Sequence, residues 1–146
     1  MSGPRALVTG GSSGIGLSFA KQLAQQGYDL VLVARRRERL EEIAQQLTRD
    51  HQIDCRVEVR DLADPDSIEA LVAALDEDGV EVEVLINNAG YGLAGAYLSQ
   101  SWQRHDQFIQ VMLSAVCELT HRLLPGMKQR GKGRIIQVSS IAGFLP

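Results

Sequence analysis

The stretch from Thr9 to Gly16, Thr-Gly-Gly-Ser-Ser-Gly-Ile-Gly, constrains this chain more than any other, because it joins a short apolar strand to an amphipathic helix through a turn nearly free of side chains. The strand is Arg5-Ala6-Leu7-Val8, and Leu17, Phe19, Ala20 and Leu23 follow at helical spacing. A loop at the carboxyl end of a strand that opens a helix presents free backbone N–H groups and the positive end of the helix dipole. That arrangement suits a dinucleotide pyrophosphate. Gly10 permits the tight turn, Gly14 lets the backbone approach a phosphate, and Gly16 lets the helix pack closely on the strand. Ser12 and Ser13 add hydroxyl donors, and Ile15 completes the candidate cofactor-binding set in this loop. A purely structural turn rich in Gly and Ser has the same composition, so the loop alone leaves both readings open.

The chain has 146 residues, 45% of them hydrophobic, which suits one globular domain burying about two thirds of its unfolded surface. A formal charge of −3 with interspersed signs gives no overall attraction to nucleic acid or to an anionic membrane. Cys55 and Cys117 have no Cys-x-x-Cys spacing and no cluster with His51, His105 or His121, so no metal site is expected. The apolar run Ala6–Val8 is too short for a signal peptide, and nothing approaches a membrane span. The expectation is a reduced, cytoplasmic protein.

Apolar runs and amphipathic segments alternate along the chain. Strands are expected at Ala6–Val8, Leu30–Val33, Arg56–Val59, Val82–Ile86 and Ile135–Val138, the first, second and fourth apolar on both faces as in a buried parallel sheet. Helices are expected at Ile15–Gln26, Glu38–Arg49, Asp66–Asp76 and Ser101–Arg130, the last ended or kinked by Pro125 and Gly126. Asp64 is placed to cap the third helix, with Pro65 at its first position. This is an α/β doubly wound parallel sheet with right-handed crossovers.

The second strand runs into Arg35-Arg36-Arg37, where a fold that binds unphosphorylated NAD places an acidic residue for the adenosine ribose hydroxyls. Three arginines at a helix amino terminus oppose the dipole unless an anion offsets them. The 2′-phosphate of NADP is such an anion, which makes Arg35 and Arg36 candidate cofactor ligands. The alternative is a solvated helix start in which Arg37 pairs with Glu41.

These features resemble the short-chain dehydrogenase/reductase family along the whole chain. Thr9 to Gly16 fits its Thr-Gly-x-x-x-Gly-x-Gly pattern, and Asn87-Asn88-Ala89-Gly90 fits its Asn-Asn-Ala-Gly motif. Asp61-Leu62 resembles the pair that contacts the adenine, Asp61 accepting from the amino group and Leu62 packing on the base; otherwise Asp61 is a turn residue. The resemblance implies that Asn87, Ala89 and Gly90 line the adenosine ribose side and steady the sheet. The segment from Gly133 to Gly143 resembles the fifth strand and the catalytic serine, which alignment on Ile141-Ala142-Gly143 makes Ser140. The implied fold is a Rossmann-type sheet of order 3-2-1-4-5, a single NADP-binding domain over residues 1–146.

The implied chemistry is hydride transfer between NADP(H) and a small carbonyl or alcohol substrate, with a serine holding the substrate oxygen and a tyrosine, its pKa lowered by lysine, moving the proton. The family's Tyr-x-x-x-Lys is absent from the sequence: none of Tyr28, Tyr91 and Tyr97 has a lysine four residues on. The chain is therefore expected to be an amino-terminal portion, lacking the carboxyl-terminal strands and helices. A second departure is Met112, at the position where the family carries an asparagine that holds a relay water; by residue type, Met112 reads as a core contact beside Phe108, Ala115 and Leu119. The helix from Ser101 resembles the family's dimerisation helix, implying a homo-oligomer when complete, and Tyr97 and Trp102 line either the substrate entrance or an interface. Three readings follow: an NADPH-dependent carbonyl reductase, a cofactor-binding module without catalysis, and an association module.

Overall fold

The computed structural model describes residues 4–140; Ile141–Gly143, on which the serine alignment rests, lie outside them. Strands β1 (Arg5–Thr9), β2 (Asp29–Ala34), β3 (Cys55–Val59), β4 (Val82–Asn87) and β5 (Arg134–Gln137) form a parallel sheet in the order β3-β2-β1-β4-β5. This is the expected order. Helices α1 (Gly14–Gln25), α2 (Arg37–His51), α3 (Ser67–Glu77), α4 (Trp102–Ile109) and α5 (Ala115–Gln129) cross between the strands.

Side chains alternate across the sheet and fill two separate cores. Ala6, Val8, Leu30, Leu32, Val84 and Ile86 face α1 and α2, burying Ala20, Ala24, Leu40 and Ile43. Leu7, Val31, Val33 and Leu85 face α3 and α5, burying Leu71, Leu75, Ala115 and Leu119. Because β1 sits between β2 and β4, the chain's crossovers diverge at β1, and a crevice opens above the carboxyl ends of β1 and β4.

The α3 start falls two residues later than expected: Asp66 is the N-cap residue and the helix begins at Ser67, while the Asp64 carboxylate accepts the Asp66 N–H at 3.1 Å in the preceding turn that holds Pro65. Three further expectations change. The long helix is not uniform, because a π-helical segment, Gln110–Ser114, joins α4 to α5. Pro125 does not end α5, which continues to Gln129, since proline forfeits only its own N–H bond and the later bond from Arg130 N–H to the Gly126 carbonyl still forms. The fifth strand also lies one residue earlier than expected: its ladder ends with Gln137 opposite Asn87, where β4 turns away, although the Val138 N–H still reaches the Asn87 carbonyl at 2.9 Å.

The sheet's two edges differ. On β3, Glu58 is buried and accepts from Arg56 at 2.7 Å and Arg60 at 3.0 Å, while Arg56 also pairs with Asp78 at 2.6 Å. Charge along an edge discourages pairing with another chain. On β5, Ile136 is 39% exposed. Among the described residues no helix is long and apolar enough to cross a membrane.

A polypeptide comprising residues 1–146 is expected to self-associate through β5 at micromolar concentration. Ile136→Lys should reduce that association in light scattering. A monodisperse monomer for the unsubstituted polypeptide would contradict the expectation.

Candidate functional site

The glycine loop is shaped by contact with the end of β4. Gly10 has φ of 68° and donates its N–H to the Val33 carbonyl at 2.8 Å, tying the loop to β2. A Cβ on Gly16 would collide with the Gly10 carbonyl and stand 2.5 Å from the Asn88 side-chain nitrogen, so α1 can start this close to the strand only without a side chain there. Gly14 has the opposite surroundings: nothing lies within 4 Å of where its Cβ would point, and its φ of 54° favours glycine. The loop thus has a closed side against β4 and an open side at the α1 amino terminus.

That open side is electropositive. Ser13 precedes α1 in extended conformation without a side-chain cap bond, and no acidic residue occupies the first turn. Ile15 is 60% exposed beside it. Ser12 is buried and its hydroxyl oxygen accepts from Arg36 Nη2 at 3.2 Å, leaving its own O–H free to donate. Arg37 takes the surface pairing with Glu41, at 3.3 Å. Arg35 is exposed at the end of β2 with no ion-pair partner among the described residues. The three arginines therefore divide: one neutralised on its own helix, one leaning on the loop, one uncompensated.

The Asn-Asn-Ala-Gly segment does two jobs. Thr9 Oγ1 accepts the N–H groups of Asn88 at 2.9 Å and Ala89 at 3.0 Å and donates to the Ile86 carbonyl at 3.3 Å, while the Asn88 amide donates to the Thr9 carbonyl at 3.0 Å. Thr9 and Asn88 were not among the candidate site residues of the sequence reading, although both stand inside its motifs; their bond depends on β1 and β4 being neighbours. Asn87 turns the other way. Its Nδ2 donates to Thr120 Oγ1 of α5 at 3.3 Å, Gln137 donates to the same oxygen at 3.1 Å, and Asn87 Oδ1 is buried without a partner among the described residues.

Asp61 Oδ1 accepts the Ala63 N–H at 3.1 Å, which is the turn role, while its side chain is exposed near the end of β3. Leu62 points inward, 7% exposed in the core, so little of it is left for a base to cover. Ser140 follows β5 and is exposed beyond that strand's carboxyl end. Tyr28 lies before β2 with its hydroxyl 3.4 Å from Glu83, near the sheet's amino-terminal end and away from the crevice. Met112 departs from the core reading: it is 39% exposed and lies against Gly90, whereas Val111, Ala115 and Leu119 form the buried stripe.

Cys55 is not placed as a nucleophile here. Burial, and then the neighbouring Asp54 carboxylate, push the Cys55 thiol up to about 12, so it stays protonated at neutral pH. A shallow cleft of about 430 Å³ lies at the opposite end of the sheet, around Arg5, Arg130 and Lys132. Its cations are paired already, Arg5 with Asp29 and Asp54, Arg130 with Glu81, and Lys132 with Glu83. Arg35, near the glycine loop, has no such ion pair among the described residues.

Residues 4–146 match the sequence model of a family described as short chain dehydrogenase. A very-long-chain 3-oxoacyl-CoA reductase of Anas platyrhynchos is 33% identical, the match covering 99% of this chain and 47% of that protein. The chain thus spans about half the length of the curated relatives it matches. Among solved structures, the L-sorbose reductase of Gluconobacter frateurii complexed with NADPH and L-sorbose superposes with a TM-score of 0.92 at 34% identity, over 100% of this chain and 56% of that one. A short-chain dehydrogenase of Sphingobium yanoikuyae in complex with NADPH gives 0.91 at 35%, over 98% and 56%.

Thr9→Val preserves shape but strands the Asn88 and Ala89 N–H groups. It should cost about 1–3 kcal/mol in denaturant unfolding. A loss below about 0.5 kcal/mol would show that the hydroxyl is dispensable.

Proposed function

The chain belongs to the short chain dehydrogenase family, and from that membership we propose that it is the cofactor-binding part of an NADPH-dependent oxidoreductase that interconverts a small carbonyl compound and its alcohol. The observation that carries the reading is the arginine pair beside the glycine loop. Arg35 has no ion-pair partner among the described residues at the end of β2, and Arg36 is held on Ser12 of the loop. Together they suit a dianionic 2′-phosphate by charge-assisted hydrogen bonds. The pyrophosphate falls to the open side of Gly14 and the uncapped start of α1. Asp61, beyond β3, meets the adenine, with Leu62 contributing its remaining exposed edge, and Ala89 and Gly90 flank the ribose.

When bound, the nicotinamide donates or accepts hydride. In this reading Ser140 donates its hydroxyl proton in a hydrogen bond to the substrate oxygen, and the proton itself is moved by a tyrosine and lysine supplied from outside residues 1–146. NADPH in the two superposed structures supports the cofactor assignment. Exposed Trp102 on α4, Leu113 in the π-helical segment and Leu124 on α5 support assembly with a second copy. Two free cysteines suit a reducing, cytoplasmic setting.

Met112 favours a second reading, a nucleotide-binding module without turnover, because a thioether cannot replace the hydrogen bonds of an amide. Tight NADPH binding without reduction of any ketone would select it.

Arg35→Asp should weaken NADPH binding by about tenfold or more, since a phosphate partner becomes a repelling charge, and should leave NADH binding nearly unchanged. Equal losses for both nucleotides in calorimetry would overturn the 2′-phosphate assignment.

A further inference from the structure

The ends of β4 and β5 meet on one hydroxyl. Asn87 and Gln137 stand opposite each other as the last register pair of the two strands, and their side chains converge on Thr120 of α5. Asn87 Nδ2 donates to Thr120 Oγ1 at 3.3 Å, and Gln137 Nε2 donates to the same oxygen at 3.1 Å. The Thr120 O–H is committed to the Val116 carbonyl, one helical turn back, at 2.8 Å. A hydroxyl has one proton and two lone pairs, so this one is saturated and faces the two amides in a single orientation. The backbone joins the same two strand ends again, through the Val138 N–H and the Asn87 carbonyl at 2.9 Å. The arrangement carries a cost, because Asn87 is 4% exposed and its Oδ1 is buried with no partner among the described residues. Apolar side chains there would avoid it, and sequences keep such costs where function needs a fixed geometry.

The two chain segments part directly beyond this clamp. Gly90 lies three residues past Asn87, and Ser140 lies three past Gln137. The proposed function sets the first against the ribose and the second against the substrate oxygen. Resting on that reading, we propose that Thr120 is a positioning residue: its hydroxyl fixes the end of β5 on the end of β4, and thereby the distance at which Ser140 holds the substrate from the cofactor. Thr120 acts through the two strands and needs no contact with either ligand. A valine in its place keeps the shape but leaves both amides without their acceptor, so the strand ends are then joined by backbone alone. A reaction between two bound groups slows steeply when they are misplaced by as little as about 1 Å.

Two measurements test this. The first is hydrogen exchange in the polypeptide of residues 1–146, followed residue by residue by mass spectrometry at submicromolar concentration. In Thr120→Val the Val138 amide should exchange about tenfold faster while Leu85, paired with both β1 and β5, holds within about twofold. Thr120→Ser, which keeps the hydroxyl, should restore the protection. Unchanged exchange at Val138, or an equal rise at Val138 and Leu85, overturns the clamp. The second is ketone reduction by the full-length protein, measured per bound NADPH with ethyl acetoacetate, acetophenone and dihydroxyacetone as probes. Thr120→Val should lower kcat about tenfold while KM for NADPH holds within about twofold, and Thr120→Ser should recover most of the kcat. Gln137→Ala, at an exposed position, should lower kcat about threefold and replaces Thr120→Val in both measurements if that variant does not fold. Unaltered kcat in the folded variants overturns the positioning role and leaves the oxidoreductase reading standing. Failure of the unsubstituted protein to bind NADPH, or to reduce any of the probes, overturns that reading, and the positioning role with it.

Discussion

The hydroxyl of Thr9 holds this structure's working end together. One oxygen accepts two N–H groups from the segment after β4 and donates to the Ile86 carbonyl near the end of that strand. Because the sheet is parallel, β1 and β4 reach their carboxyl ends side by side, and each must leave the sheet without stranding its backbone groups. The Thr9 and Asn88 side chains supply the missing partners reciprocally. With that bond in place, the Gly10 carbonyl and the Asn88 amide form the close surface that admits only glycine at position 16, and the start of α1 is fixed. The open face of the loop follows from the closure of its other face.

Charge completes what backbone geometry begins. The loop presents uncapped N–H groups, and the next strand delivers a row of arginines to the same end of the sheet. Local pairing removes Arg37 from that row, and the Ser12 contact pins Arg36 without neutralising it. What remains is positive charge adjoining a loop poor in side chains, whereas Arg5, Arg130 and Lys132 at the opposite end of the sheet are each paired with a carboxylate.

Much of this was legible in the residues. β1, β2 and β4 read as apolar on both faces because each lies between neighbours and beneath helices, and the strand order followed once the family's motifs were recognised. The Asp64-Pro65-Asp66 turn before α3 was legible because its bonds are local, although the helix itself begins two residues later than read. The unread parts depend on contacts between residues far apart in the chain. Nothing near Thr9 announces a partner 79 residues away. Leu62 and Met112 exchanged environments relative to their reading, the leucine going into the core and the methionine out of it, because hydrophobicity does not specify which face of a turn or loosened helix is buried. The π-helical segment left no compositional trace, since its residues are ordinary helix formers.

The central position of β1 also has a consequence in time. It is first in sequence, yet it pairs with β2 on one side and with β4 on the other, and β4 is not reached until Val82. Local helices can form and fade early, but the shape of the glycine loop waits for the closure of a long chain segment, which is the slow kind of folding event. A nascent chain therefore carries its nucleotide loop unformed until the Asn88 segment is available. Under the proposed function, a dinucleotide that needs the formed loop would stabilise only chains that have already completed the long-range pairing of β1 with β4.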